Sequence, residues 1–189
     1  MLNPISYRRL FTLSNGQKVK CRLLNGQDQD GLLCLYQTAP PEDTYFLKQD
    51  VKDMVSLENY SDQPTPRRIF LSALEMTQGR FIATAQMERG IGCSKHIGEI
   101  LHIFVARPFH NLGLGSLLLG ELIDLSQAEK LHWLRAEIVS EHKAALKGFL
   151  RKGFKIRATL EDFFIGRDGA TYDVVLLTRS LLKDYGDDI

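Results

Sequence analysis

Hydrophobic positions along the chain change their period several times, and each change marks an element. From Gln17 to Leu24, Val19, Cys21 and Leu23 alternate with Lys18, Lys20 and Arg22, the two-residue period of a half-exposed strand. Leu32, Leu33, Leu35 and Tyr36 then predict a short helix, which Pro40-Pro41 ends. Glu42 to Tyr60 has a mixed pattern and reads as a second helical stretch broken by a turn, with Ser61 to Pro66 as a loop. Arg68 to Glu75 and Arg80 to Glu88 predict two strands joined in a hairpin by Thr77-Gln78-Gly79. Gly90 to Gly98 is a loop carrying Cys93, Lys95 and His96.

From Ile100 to Ala106 nearly every position is apolar, as in a strand buried on both faces of a sheet. Pro108 has no backbone donor, so regular pairing ends by that point. Leu114, Leu118, Leu122 and Leu125 then recur at helical spacing, and Leu117, Leu119 and Ile123 widen the stripe until little of the helix faces water. Trp133 to Val139 is the next strand. Ser140 is the expected N-cap of a helix running to Lys152, and Gly153 the left-handed residue that ends it. Lys155 to Ile165 and Thr171 to Thr178 predict two strands turning at Arg167-Asp168-Gly169, before a short acidic tail from Lys183. The two hairpins impose antiparallel pairing among strands that also alternate with helices. The pattern therefore predicts an α/β domain over residues 1–189: a mixed, mostly antiparallel sheet of about six to seven strands flanked by about four helices.

Bulk properties narrow the function classes. A chain of 189 residues suits one domain with a proper core. The net charge of +1 provides no global field for nucleic acid or an anionic membrane, and neither is an expected partner. No apolar run approaches membrane-spanning length, and Met1-Leu2-Asn3-Pro4 lacks the pattern of a secretory leader, so a cytoplasmic location is expected. Cys21, Cys34 and Cys93 are too few and too scattered for a disulfide framework or a zinc site, and no metal is expected.

The chemistry concentrates between the apolar strand and the leucine-rich helix, at His110-Asn111-Leu112-Gly113-Leu114-Gly115. Two glycines one residue apart permit a tight turn and a close backbone approach to a ligand. The first amides of the following helix have no intrahelical partner, and with the helix dipole they favour an anion such as phosphate or pyrophosphate. A dinucleotide fingerprint needs a further glycine where Leu118 stands, and a P-loop needs a lysine after its last glycine where Ser116 stands. Neither nucleotide motif is present.

The segment resembles motif A of the Gcn5-related N-acetyltransferases (GNAT superfamily), whose pyrophosphate loop reads Arg/Gln-x-x-Gly-x-Gly/Ala between a strand and a long helix. Ile138 to Phe154 is similar to that family's later strand and helix ending in Gly-Phe, and the likeness spans roughly Arg68 to Leu181. The resemblance implies a sheet splayed between two central strands with acetyl-CoA, as co-substrate, in the wedge. Its pantetheine would pair with the strand edge at Ile103, Phe104 and Val105, and His110, Asn111, Leu112, Gly113, Leu114, Gly115 and Ser116 would hold the pyrophosphate. His142 falls where the family has an asparagine, and Phe149 where many members have a proton-donating tyrosine. Either the thiolate leaves unassisted or another group serves as its proton donor, Tyr172 being a conceivable one.

Transfer from a thioester needs a neutral amine. A lysine-like acceptor with a pKa near ~10.4 costs about 4.6 kcal/mol to deprotonate at pH 7, whereas an α-amine near ~7.7–8.0 costs about 1–1.4. Glu99, eleven residues before His110, matches the offset of the catalytic glutamate in the histone-acetyltransferase branch. Alternation places it on the face of Leu101, Ile103 and Val105, where apolar neighbours would raise its pKa. The alternatives are a solvated strand-end carboxylate and a proton relay through water. His102, on the opposite face, reads as a satisfied core residue. The basic run from His142 to Arg157 is a solvated helix face or a contact for the ribose phosphate of CoA.

The resulting expectation is an acetyl-CoA-dependent N-acetyltransferase acting by direct attack on the thioester, with a small-molecule or protein amine as acceptor and a homodimer as the oligomer common among relatives. A catalytically weak acyl-CoA-binding sensor and an ordinary scaffold are the alternatives.

Overall fold

The computed structural model describes residues 7–47, 67–166 and 168–182. Its strands are β1 (Arg8–Thr12), β2 (Lys18–Leu23), β3 (Arg68–Glu75), β4 (Phe81–Arg89), β5 (Ile97–Val105), β6 (Trp133–Val139), β7 (Lys155–Ile165) and β8 (Thr171–Ser180). They form one sheet in the order β1-β2-β3-β4-β5-β6-β8-β7. The helices are α1 (Gln29–Gln37), α2 (Pro41–Thr44), α3 (Leu114–Ala128) and α4 (Lys143–Arg151). Every neighbouring pair is antiparallel except β5 and β6. Parallel neighbours need a long crossover, and α3 supplies it.

Among the described residues, the mixed, mostly antiparallel sheet with four helices is the architecture the sequence predicts, but it has eight strands, not six or seven. The unpredicted one is β1, a five-residue edge strand whose positions are nearly all exposed and therefore show no alternation. Pro41 opens α2 at its first turn instead of only ending α1. Ser140 does not cap α4: its hydroxyl donates to Glu141 Oε2 at 3.1 Å, and His142 occupies the cap position. Gly153 ends α4 at φ +79° as expected. Most of the predicted Glu42–Tyr60 helical stretch, the Ser61–Pro66 loop, Arg167 and the tail from Lys183 lie outside the described residues.

The sheet has a different cover on each face. On one, Leu114, Leu118, Leu122 and Leu125 of α3 pack with Val19, Leu71, Ala73, Ala83 and Ala85, all buried. The alanines matter here, since small sheet residues let a leucine-lined helix sit close. On the other face, Leu32, Leu35 and Tyr36 of α1 pack with Phe104. No helix among the described residues is long and apolar enough to cross a membrane.

Strand β5 changes face partway along. Met87 of β4 pairs with Ile100, but the next residue, Gln86, pairs with His102, leaving Leu101 as a bulge. Before it, Ile100 joins the α3-side core; after it, Ile103 and Val105 take that side while Phe104 turns to α1. Pairing of β5 with β6 also stops there, the last partners being Ile100 and Ala136. Beyond this point the two strands part.

Glu121, on α3, is 5% exposed and its Oε2 makes no hydrogen bond among the described residues. Arg9 Nε is 3.7 Å away. Burial, with a smaller contribution from Asp124, pushes the carboxyl from 4.5 up to about 7. A folded-state value above the unfolded one means that stability is greatest below the unfolded pKa and falls as pH rises through the folded one. Glu121→Gln is therefore expected to stabilise the protein by about 1–2 kcal/mol above pH 7, with partial screening by Arg9 and solvent keeping the gain below the full shift. The gain should vanish toward pH 4. Thermal melts of both proteins across this range test it, and a variant less stable than wild type at pH 8 would sink the assignment.

Candidate active site

The wedge between the parted strands holds two adjoining cavities. The larger, about 820 Å³, is lined by Ile103, Phe104 and Val105 of β5, by His110, Asn111, Gly113, Leu114, Gly115 and Ser116, and by one side of α4. The smaller, about 360 Å³, lies between β5 from Ile100 to Phe104 and β6 from Ala136 to Val139, closed by Phe46, Leu47, Phe163 and Phe164. Asp43, Ile103, Phe104, His142, Ala145 and Phe149 line both. Both volumes fall in the range of ligand sites.

The loop's shape follows from two left-handed residues. Asn111 has φ +60° and Gly113 φ +86°. Gly113 is the cap of α3, and the first helical bond runs from Leu117 N to Gly113 O at 3.0 Å. The amides of Leu114, Gly115 and Ser116 therefore have no partner within the helix and open toward the larger cavity, an arrangement suited to an anion. A Cβ on Gly113 would meet nothing within 4 Å, so the glycine serves its backbone conformation and not a steric need. Leu112, the remaining loop residue, packs against the core and does not line the cavity.

The exposed edge of β5 has a defined polarity. Ala106 N donates to Ile82 O at 2.8 Å, so by alternation the backbone groups of Ile103 and Val105 point away from β4, toward the gap. The Val105 carbonyl accepts a hydrogen bond from His110 Nε2 at 2.7 Å, which places that ring proton on Nε2. His110 thus ties the loop to the strand end. Arg107 donates to both oxygens of Asp43 at 3.0 and 2.9 Å, fixing α2 at the mouth of the wedge. Its guanidinium holds the Asp43 carboxyl below the usual carboxylate range.

An aromatic cluster closes the smaller cavity. The Phe46 ring meets His142 edge-on at 4.8 Å and Tyr172 at 5.1 Å, which joins α2, α4 and the β7–β8 hairpin. Tyr172 donates to Asp168 Oδ2 at 2.9 Å and lines neither cavity, so the hydroxyl weighed as a proton donor is engaged elsewhere. His102 has the core role expected of it. Its Nε2 is 3.4 Å from both Tyr36 Oη and Thr84 Oγ1, and burial pushes its pKa down to about 3.

Glu99 is placed differently from its expectation. One residue, Ile100, separates it from the bulge, so it lies on the face of His102 and Phe104, not that of Ile103 and Val105. Arg135 of β6 donates to its carboxylate, through Nε at 3.1 Å and also through Nη2, and Glu99 lines neither cavity. The apolar neighbourhood proposed for a raised pKa is replaced by a guanidinium.

Sequence reasoning missed Phe46 and Glu137, since their approach depends on the path after α2 and on the parting of the strands. Of the basic run, Lys143 and Arg151 line the larger cavity, whereas Lys147, Lys155 and Arg157 do not. No group of three or more His, Cys, Asp or Glu side chains among the described residues is arranged to hold a metal. Arg107→Ala is expected to speed amide exchange across Asp43–Leu47 by about 3–10-fold without affecting β3 and β4. Unchanged exchange by mass spectrometry would show that the Asp43 pair does not hold α2 in place.

The sequence profile of the acetyltransferase (GNAT) family matches residues 33–154. No functionally curated protein matches the sequence significantly. Among solved structures, the GNAT domain of a Streptomyces lividans protein named PAT aligns with a TM-score of 0.76 at 19% identity, covering 95% of this chain and 99% of that one. A putative acetyltransferase from Salmonella typhimurium, solved with acetyl-CoA, gives 0.74 at 19% identity, covering 90% and 98%. The ribosomal-protein-S18-alanine N-acetyltransferase of Escherichia coli gives 0.69 at 18% identity, covering 90% and 98%. At these identities the likeness is one of fold.

Proposed function

The chain belongs to the acetyltransferase (GNAT) family, a family that uses acetyl-CoA, and on that premise we propose that it transfers the acetyl group to a primary amine of a small molecule or a protein. The observation that carries this reading is the continuity of the two cavities. A loop of amides without helical partners opens into the larger one, and the smaller one adjoins it at Ile103, Phe104, His142 and Phe149.

In this reading the pyrophosphate sits on the amides of Leu114, Gly115 and Ser116, with Lys143 and Arg151 adding positive charge along α4. The pantetheine runs along β5 and pairs with the outward backbone groups of Ile103, a form of strand addition. The amide of Val105, which points the same way, donates to the oxygen that gains charge as the amine attacks the thioester. The amine enters from the smaller cavity. Asp43, paired with Arg107, and Glu137 are the acidic groups of its lining. Phe149 packs against Phe154 at 4.9 Å and presents an apolar ring where a tyrosine would offer a proton.

That ring favours a second reading, an acyl-CoA sensor with little turnover. Binding of acetyl-CoA without thiol release across a broad amine panel would support it.

Calorimetry with acetyl-CoA on wild type and Gly113→Glu tests the cofactor site. The variant forces a side chain into a left-handed conformation and sets a carboxylate at the anion site. Wild type is expected to bind in the micromolar range and the variant at least about tenfold more weakly. Failure of wild type to bind would remove the acetyl-transfer reading.

A further inference from the structure

With Glu99 outside the wedge and Phe149 lacking a proton, the reaction needs another group to move the proton. We propose that His142 is that group, taking the amine's proton as the new C–N bond forms and returning it to the departing sulfur. This rests on the acetyl-transfer reading.

Position singles it out. Of the six described residues lining both cavities, only Asp43 and His142 can titrate. Asp43 accepts two hydrogen bonds from Arg107, which keep it a carboxylate with little affinity for a proton. His142 is an exposed residue at the cap of α4, and its ring makes no hydrogen bond among the described residues, only the edge contact with Phe46. Phe46 thereby sets the ring's orientation and leaves its nitrogens available.

The surrounding charges are mixed. Glu141 and Lys143 flank it in sequence, Asp43 faces it from α2, and Glu137 lines the smaller cavity from β6. Burial of part of the ring lowers its pKa, with Glu141 pulling the other way. The imidazole is then neutral at physiological pH and ready to accept a proton.

The proton count closes. An acceptor bound as ammonium first loses one proton to water. The neutral amine attacks the carbonyl carbon, and the nitrogen of the tetrahedral intermediate gives its proton to His142. The C–S bond breaks, the imidazolium protonates the sulfur, and the amide and CoA thiol leave with His142 neutral again. One residue then serves as base and acid, and a tyrosine at position 149 is not needed.

The test follows thiol release from acetyl-CoA with phenethylamine, spermidine and an alanine-terminated peptide, from about pH 5 to about pH 9. Wild type, His142→Asn and His142→Gln are compared, with acetyl-CoA affinity measured on each by calorimetry. Both variants keep a polar side chain at an exposed cap, and their circular dichroism and thermal melts report whether they fold. The expected result is unchanged affinity and a kcat lowered about 100-fold. The rising limb of kcat, centred below the ordinary imidazole value of about 6.5, should disappear, and added imidazole should restore part of the rate. Variants retaining wild-type kcat with the same limb overturn the proposal. Affinity falling in step with turnover also overturns it, as His142 would then only bind the cofactor. So does the absence of thiol release with all three amines in a wild type that binds acetyl-CoA. A wild type that binds no acetyl-CoA removes the acetyl-transfer reading itself, a distinguishable result.

Discussion

The bulge at Leu101 and the end of β5–β6 pairing at Ile100 fall at adjacent residues, and the site depends on their coincidence. Two parallel strands pairing along their full length would bury both edges and leave no room between them. An extra residue bends its strand and increases the local twist, and here that change occurs as β5 loses its partner. The freed edge of β5 exposes backbone groups that a sheet would otherwise consume, and unpaired backbone groups at a sheet edge seek a strand-like partner. The fork thus creates both the space and the main-chain hydrogen bonding that a long, extended cofactor requires.

The elements around the fork keep it open in different ways. The crossover imposed by parallel pairing delivers the start of α3 to the open end, so its unpartnered amides face the wedge. His110 bonds to the Val105 carbonyl and links that loop to the strand edge, while Arg107 holds α2 through Asp43. On the far side, α4 turns a face carrying His142, Ala145, Gly148 and Phe149 toward the larger cavity. Ala145 and Gly148 are small, which leaves volume between the two larger side chains. The site is consequently a gap whose walls are fixed to one another by specific contacts, a condition for holding reacting groups in order.

The loop and its neighbours were legible in the sequence because their chemistry depends on residue types with few substitutes. Gly113 needs a positive φ, the helix behind it needs an apolar stripe, and Gly153 needs the left-handed end of α4. The hairpin turn at Gly79, φ +69°, was legible for the same reason. What could not be read depends on register. A bulge leaves no mark in IGEILHIFV, yet it reverses the face of every residue after it, and the alternation argument carried Glu99 to the wrong side. Strand β1 was invisible because pairing with β2, not a buried face, defines it. Phe46 reaches His142 through tertiary packing alone, which no local pattern encodes.

The same register argument bears on how proton transfer is arranged. A carboxylate before the bulge sits where β5 and β6 are still paired, and there Arg135 is its immediate cross-strand neighbour. A residue in that position stabilises the closed end of the fork; it does not reach the open end. A group on α4 approaches from the opposite wall and meets both cavities at once. His142 and Phe149 are seven residues apart, two helical turns, and so share one face of the α4 segment. An imidazole at the first position and the buried Phe149 ring at the second put a titratable group beside the meeting point of the cavities. Where the strands part thus decides which group meets the cavities: Glu99 lies where β5 and β6 are still paired, bonded to Arg135, and His142 lines both cavities.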